Sequence, residues 1–262
     1  MPNYQNLLFG QSGGVATITL NRPSEANTLT LAMARELAAA ALACRDDPKV
    51  RCVLLTGAGK FFCAGGDLKE FAAKGDAAGA HIRAVTVALH NAISQFVHMR
   101  APLVIVVNGA AVGAGFSLAL CGDLVLSAAS AKFTMAYTAA GLVPDGSSSY
   151  FLPRIIGLRR TQELMLTNRQ LNAEEAAQWG IVTRVVEDDQ LQEEGRQLAR
   201  TLANGPTEAF GHVKRLLATS QQSLETQMEC ESAAISVSAN TDDGREGVAA
   251  FVAKRMPVYT GN

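Results

Sequence analysis

The chain has 262 residues, of which 48% are hydrophobic and 18% are charged, and this composition suits one large folded domain and excludes a disordered chain. Its 23 basic and 24 acidic residues leave a formal charge of −1, so no overall field favours nucleic acid or an anionic membrane as a partner. The first ten residues lack the pattern of a signal peptide, and no apolar run approaches membrane-spanning length. We therefore expect a cytoplasmic protein.

Strands and helices alternate along the first part of the chain. Residues 15–20 form a β-branched strand pattern that ends before Pro23, since proline lacks the amide donor of a strand ladder. From Thr30 onward, apolar residues recur at helical spacing and predict an amphipathic helix. Continuous apolar runs at residues 52–56 and 103–107 are typical of strands that are covered on both faces.

The alternation continues through a strand at residues 124–127 and predicts an α/β fold with a layered core. Residues 190–255 then read as mostly helical. Neither an internal repeat nor a long linker is present. We divide the chain into a core over residues 1–200 and a C-terminal helical region over residues 201–262.

The cysteines are scattered and show no paired spacing of the kind that zinc sites or redox couples require. They are Cys44, Cys52, Cys63, Cys121 and Cys230. This usage predicts reduced, mostly buried thiols. The sequence also has no cluster of histidine, cysteine and aspartate at metal-ligand spacing, so we predict no metal site.

Two loops are rich in small residues. The first, CAGGDL at residues 63–68, permits close backbone approach to a ligand, although an isolated AGG tripeptide is more often a simple turn. The second, NGAAVGAG at residues 108–115, leads from a strand into an apolar segment with the character of a helix. A helix start of this kind directs free amides and a positive dipole at an anion, although close helix packing explains the small residues equally well.

Taken together, the two loops resemble the paired signature of the enoyl-CoA hydratase/isomerase (crotonase) superfamily. The likeness covers nearly the whole chain, including LNRP at residues 20–23, Asn27, AKF at 131–133 and FVAKRMPVY at 251–259. It implies a crotonase-like spiral of repeated ββα units with a C-terminal helical region. It also implies an acyl-CoA substrate, no separate cofactor, and a homotrimer or homohexamer whose C-terminal helices contact neighbouring subunits and complete the active site.

The resemblance assigns an oxyanion hole to the backbone amides of Gly66 and Ala114. These N–H groups are expected to hold the thioester oxygen as it becomes enolate-like. Preorganised donors of this kind contribute about 3–4 kcal/mol each in other enzymes, so backbone geometry dominates the chemistry.

Hydratases of the superfamily use two carboxylates, and the matching positions here are Ser117 and Tyr137. Serine is a weak acid, and tyrosine ordinarily titrates near ~10, so neither serves as a carboxylate base near neutral pH. The sequence therefore argues against the standard hydratase mechanism.

An acid does occur in Pro144-Asp145-Gly146, ahead of Leu-Pro-Arg at residues 152–154. The neighbours alone favour a turn or helix-cap role for Asp145. By resemblance, Δ3,Δ2-enoyl-CoA and ring-1,2-epoxyphenylacetyl-CoA isomerases carry their single catalytic acid at this position. We therefore predict that Asp145 removes a proton from one acyl carbon and returns it to another.

Three alternatives stay open. His90, which lies in a helical pattern and has an ordinary structural interpretation, pairs with Asp145 as the histidine and nucleophile of aryl-CoA dehalogenases do, although those enzymes have tryptophan where this chain has Tyr137. A hydratase is the second alternative. The third is a CoA-binding or RNA-binding homologue without turnover, although no lysine-rich helix supports RNA binding.

Coenzyme A carries phosphates, so cations are expected near the mouth of the site. By resemblance, Arg22, Glu25 and Ala26 border the pantetheine and diphosphate, and Lys254 reaches a phosphate, although ordinary solvated charge explains these side chains as well. The residues assigned to the adenine side are Ala64, Gly66, Asp67 and Leu68. The acyl group stays open beyond an expected apolar wall.

Overall fold

A computed structural model describes residues 4–262 of the chain. The strands are β1 (Leu7–Ser12), β2 (Val15–Leu20), β3 (Cys52–Gly57), β4 (Phe61–Cys63), β5 (Leu103–Val107), β6 (Ala110–Val112), β7 (Leu124–Ala128), β8 (Lys132–Thr134), β9 (Leu171–Asn172) and β10 (Arg184–Val186). The helices are α1 (Leu31–Asp46), α2 (Leu68–Ala72), α3 (Ala78–His98), α4 (Ala114–Ala119), α5 (Ser148–Thr167), α6 (Ala173–Gln178), α7 (Leu191–Ala203), α8 (Thr207–Ala218), α9 (Leu224–Ala239) and α10 (Asp242–Val252).

Two sheets form the core. The larger has the order β1-β2-β3-β5-β7-β10, in which β1 is antiparallel to β2 and the other neighbours are parallel. The smaller has the order β4-β6-β8-β9. Every residue of β3 and β5 is buried, as their continuous apolar sequences predict.

Consecutive strands are shared between the sheets in a repeating way. β3, β5 and β7 belong to the larger sheet, and the strand after each of them, β4, β6 or β8, belongs to the smaller one. A helix follows each pair before the next large-sheet strand begins or, after β8, before β9 and β10. The predicted α/β fold, a spiral of ββα units with a C-terminal helical region, is confirmed.

The predicted amphipathic helix is α1. Its hydroxyl cap is Thr30, whose Oγ1 accepts from the Met33 N–H at 3.2 Å. The apolar stripe that contains Met33, Leu37 and Cys44 is buried, and α1 packs against α3. This packing holds α3 in place, and α3 carries two polar side chains of the candidate site.

The C-terminal part of the chain is helical from α7 to α10. Helix α7 packs on β3 and β5 and runs through the boundary drawn between residues 200 and 201. Helix α9 buries none of its own residues, and Phe251, Val252 and Met256 are also strongly exposed. Subunit contact through this region stays a prediction.

The cysteine prediction is confirmed, since all five are free thiols and only Cys230 is exposed. Burial raises the pKa of the Cys63 thiol to about 12. Within residues 4–262, no helix has the length and apolar character needed to cross a membrane.

Candidate active site

The two loops rich in small residues meet at one edge of the smaller sheet. The first begins at the end of β4 and the second contains β6, and because these strands are parallel neighbours their carboxyl ends lie side by side. A Cβ on Gly115 would lie 2.2 Å from the Cys63 carbonyl oxygen, so only glycine allows α4 to approach β4 this closely. Gly113 adopts φ 52° and ψ −122°, a conformation that also favours glycine. Close contact between the loops therefore explains the pattern of small residues.

The two predicted oxyanion amides line the same cavity. The Leu29 N–H donates to the Gly65 carbonyl at 2.7 Å, and the Asp67 N–H donates to the Leu29 carbonyl at 3.1 Å, which fixes the backbone around Gly66. Ala114 is the first residue of α4, where helix amides lack intrahelical partners. Neither the Gly66 nor the Ala114 amide donates a hydrogen bond to another residue between 4 and 262. Both donors are therefore available to a ligand.

The cavity has a volume of about 410 Å³ and a largely apolar lining. Its apolar walls include Leu29, Leu68, Phe71, Val85, Leu89 and Leu142. The polar side chains on the lining are Thr86, Tyr137 and Asp145. An apolar chamber with a few convergent polar groups is the usual form of a site for a small organic ligand.

Asp145 is held by donors from two other segments. The Tyr137 hydroxyl donates to Asp145 Oδ1 at 2.7 Å, and the Thr86 hydroxyl donates to Oδ2 at 3.3 Å. The Asp145 side chain does not cap α5, whose N-cap is Ser147 and has no side-chain hydrogen bond. The carboxylate therefore faces the cavity, and the capping role that its neighbours suggest is excluded.

Tyr137 and Ser117 form the next link of the network. Their hydroxyl oxygens lie 3.0 Å apart, and because the tyrosine proton points to Asp145, serine is the donor between them. Burial, together with the negative charge of Asp145, raises the pKa of Tyr137 far above its ordinary value. Tyr137 is therefore a neutral donor to Asp145 and cannot act as a base.

His90 approaches the carboxylate from the other side. Its Nε2 lies 3.5 Å from Asp145 Oδ2 and accepts the Gly146 N–H at 3.1 Å. Its side chain is 48% exposed, and it lines a second cavity behind Asp145 instead of the apolar one. The predicted catalytic side chains Asp145, Tyr137 and His90 are thus in one cluster.

Thr86 is the member of this cluster that the sequence analysis missed. It lies on α3 four residues before His90, and residues at this spacing share one face of a helix. The four-residue spacing of Thr86 and His90 is visible in the sequence, but it indicates a shared role only once α3 is known to face Asp145.

Two of the predicted CoA-binding residues, Arg22 and Asp67, form an ion pair at the first loop. The Arg22 guanidinium lies 3.2 Å from Asp67 Oδ2 and donates to the Thr28 carbonyl at 2.6 Å. Burial alone would raise the pKa of Asp67, but hydrogen bonds from the Glu70 amide, Thr28 and Arg22 outweigh it and hold the pKa below its usual range. Arg22, one of the cations predicted to bind coenzyme A, is therefore already paired with Asp67 within the chain.

The other predicted binding residues divide by position. The Ala64 N–H donates to the Ala26 carbonyl at 3.0 Å, which joins the segment of Glu25 and Ala26 to the first loop. Ala64, Gly66 and Leu68 line the cavity. Lys254 is exposed, follows α10 and lines neither cavity, so its role at a phosphate stays a prediction.

Residues 10–262 match the family model described as enoyl-CoA hydratase/isomerase. The 1,2-epoxyphenylacetyl-CoA isomerase of Escherichia coli (strain K12) is 39% identical over 250 residues, which cover 95% of each chain. The 4-chlorobenzoyl coenzyme A dehalogenase-2 of Arthrobacter sp is 37% identical over 246 residues, which cover 93% of this chain and 89% of that relative. A crystal structure of an enoyl-CoA hydratase from Polaromonas sp. JS666 matches with a TM-score of 0.92 at 32% identity, covering 97% of this chain and 99% of that one.

These similarities span nearly the full length of the chain, and the fold and the paired loops agree with them. The chain belongs to the enoyl-CoA hydratase/isomerase family. The relatives are named for an isomerase, a dehalogenase and a hydratase, so the particular reaction has to be argued from the residues of this chain.

Proposed function

We propose that this protein is an enoyl-CoA isomerase that moves a C=C bond of its acyl group, with Asp145 as the proton shuttle. The observation that carries the proposal is that Asp145 is the single carboxylate on the apolar cavity within the described residues. The same cavity contains the amides of Gly66 and Ala114. One base and one oxyanion hole are the minimum that a proton shift beside a thioester requires.

The first step is removal of a proton from the acyl chain. Charge then develops on the thioester oxygen, where the Gly66 and Ala114 amides receive it and contribute about 3–4 kcal/mol each. The apolar walls strengthen this interaction because they exclude water from the dienolate. The charge is stabilised by backbone donors, so we propose that coenzyme A is present as part of the substrate and that no separate cofactor takes part.

The second step returns the proton to a different carbon. Oδ1 of Asp145 is held by Tyr137 at 2.7 Å, whereas the contact of Oδ2 with Thr86 is longer, at 3.3 Å. We assign the proton to Oδ2, since Oδ1 is committed to the shorter bond. The carboxyl then donates to the distal carbon of the dienolate, and the double bond ends in conjugation with the thioester.

Hydration is less well supported by the residues on the cavity. It requires a second group that activates water, and the family positions for that group hold Ser117 and Tyr137. Tyr137 is a neutral hydroxyl that donates to Asp145, and Ser117 is a hydroxyl within reach of both Tyr137 and the Gly113 carbonyl, so neither position supplies the second carboxylate that the hydratase mechanism uses.

The test is a mass-spectrometric assay of purified protein with 3-enoyl-CoA and 2-enoyl-CoA thioesters. We expect double-bond migration, and Asp145→Asn should lower its rate by about 10²–10⁴-fold, the usual contribution of a positioned acid or base. The amide oxygen of asparagine can still accept from Tyr137, so folding should be retained.

The matched control is Asp189→Asn, which changes an exposed aspartate outside both cavities. This control should leave the rate unchanged. Full activity in Asp145→Asn, or hydration as the main reaction of the wild-type protein, would contradict the proposal.

Dehalogenation is the second candidate, and the separation of 3.5 Å between His90 Nε2 and Asp145 Oδ2 favours it. Asp145 would displace halide from an aryl ring and form an ester, and His90 would activate the water that hydrolyses it. Halide release from 4-chlorobenzoyl-CoA is the measurement that would replace the isomerase proposal with this one.

Binding of coenzyme A and assembly complete the proposal. We propose that the rim formed by Arg22 and the 64–68 loop borders coenzyme A, and that Lys254 reaches a phosphate. We also propose a homotrimer or homohexamer with contacts through the C-terminal helices. Calorimetry of CoA binding to Lys254→Ala and light scattering of the wild-type protein test the two statements separately.

A further inference from the structure

A second cavity of about 550 Å³ lies behind Asp145. Asp145 lines both this cavity and the apolar one, whereas His90 lines only the second. The second cavity is also the more polar of the two, since His98, Ser147 and Tyr150 are on its lining. The carboxyl therefore forms part of the wall between a strongly apolar cavity and a more polar one.

His90 presents a proton acceptor to the carboxyl at this wall. A backbone amide only donates, so the Gly146 N–H at 3.1 Å requires a lone pair on Nε2. A neutral His90 therefore carries its proton on Nδ1 and cannot donate through Nε2 to an ionised Asp145. Once Asp145 has taken a proton on Oδ2, 3.5 Å from Nε2, that proton can replace the Gly146 N–H on the single lone pair of Nε2.

The other titratable side chains of the second cavity are engaged elsewhere. His98 Nδ1 lies 2.9 Å from the Ser94 carbonyl oxygen, and the Tyr150 hydroxyl donates to the Ala218 carbonyl at 2.8 Å. On the opposite side, Tyr137 already donates its proton to Asp145. His90 is thus the titratable group on this cavity that is arranged to take a proton from Asp145.

We infer that the second cavity and His90 form a proton port through which the catalytic proton of Asp145 exchanges with solvent during turnover. In the outward step the hydrogen bond from the Gly146 N–H to Nε2 is released, the Oδ2–H bond breaks as an Nε2–H bond forms, and the Nε2–H bond then breaks as the proton passes to a water in the second cavity. Loss of that proton restores the lone pair to the Gly146 N–H. A solvent proton returns by the reverse steps, so Asp145 is reprotonated and no charge accumulates. The inference rests on the proposed isomerase function.

The port changes the origin of the hydrogen that the product receives. A sealed single-base shuttle returns to the distal carbon the same hydrogen that it removed next to the thioester. With an open port, part of that hydrogen comes from solvent. The ratio between the two origins is set within each turnover by the rate of proton exchange relative to the rate of proton return to the distal carbon.

The test is isomerisation of protiated 3-enoyl-CoA in D₂O at low conversion, with mass-spectrometric measurement of deuterium at the distal carbon of the product. Labelling without enzyme is subtracted. We expect the wild-type product to contain deuterium, and His90→Gln to lower the labelled fraction severalfold. Glutamine offers an oxygen near the position of Nε2 that can accept the Gly146 N–H, but its amide does not take a proton.

The matched control is His98→Gln, which changes a histidine of the same helix and cavity that does not contact Asp145. It should label like the wild-type protein. Product without solvent deuterium, or equal labelling in His90→Gln and wild type, overturns the port. If His90→Gln does not fold, His90→Asn repeats the comparison, and a wild-type product without solvent deuterium overturns the port by itself. Failure of the proposed function is a different result, since no isomerised product would form at all.

Discussion

Gly115→Ala tests whether close contact between the two loops sets the oxyanion hole. The added Cβ would lie 2.2 Å from the Cys63 carbonyl oxygen and 2.7 Å from Cys63 Cβ. An ordinary contact needs about 3.4 Å between such atoms, so α4 and β4 must separate by about 1 Å. Since the amide of Ala114 belongs to α4 and that of Gly66 follows β4, this movement changes the spacing of the two donors.

Two magnitudes follow from that displacement. Overpacking of this kind costs about 1–3 kcal/mol of stability, which for a chain of this size lowers the melting temperature by about 2–4 °C per kcal/mol. A displacement of about 1 Å in a catalytic group can lower the rate by about 10²-fold. We therefore expect a folded variant whose loss of kcat/KM far exceeds its loss of stability.

The assay is kcat/KM for the 3-enoyl-CoA thioester beside thermal unfolding followed by circular dichroism. Gly79→Ala is the matched control, because no atom lies within 4 Å of a Cβ added there and the residue is helical. A folded Gly115→Ala protein that keeps wild-type kcat/KM would refute the view that contact between α4 and β4 sets the position of the amides.

Three further predictions concern groups outside the cavity. Lys214→Met should lower the stability measured by urea unfolding by about 1–3 kcal/mol, because the buried ammonium donates to the Phe96 and Ala101 carbonyls and lies 2.7 Å from Oδ2 of the more exposed Asp123; an unchanged midpoint would contradict this. Iodoacetamide near neutral pH should modify Cys230 alone in the native protein, as peptide mapping can verify, since the other thiols are buried. The pKa of Asp67 is lowered in the folded state, so the stability that this carboxylate contributes is present above its unfolded pKa and is lost as the pH falls through its folded pKa. Asp67→Asn should therefore flatten the decline in stability below about pH 4.

Local patterns predicted the parts of the fold that depend on local physics. The apolar runs of β3 and β5 are buried on both faces, and the stripe of α1 faces the core, because periodicity follows directly from strand and helix geometry. Strand β1 was not predicted. Its six residues have no strong alternation, and they are ordered by antiparallel pairing with β2.

The two Gly-rich loops and the acidic turn at Asp145 were visible in the sequence because glycine patterns and a lone carboxylate are properties of single segments. The convergence on Asp145 was not visible. Thr86 and His90 come from α3, whereas Tyr137 lies eight residues before Asp145, so side chains from separate segments meet at one carboxyl. No local pattern encodes that meeting, because the packing of α3 decides it.

For the candidate site as well, the sequence predicted the class of chemistry, and the tertiary structure decided how its side chains are arranged. Amino-acid order alone indicated the family, and it predicted the backbone donors and the acid that we propose, since each is a local motif with a chemical consequence. Tertiary structure decided that Tyr137 donates to Asp145, that Arg22 is paired with Asp67, and that Asp145 borders two cavities. Protonation and access depend on distances between segments and on burial, and those quantities exist only once the chain has folded.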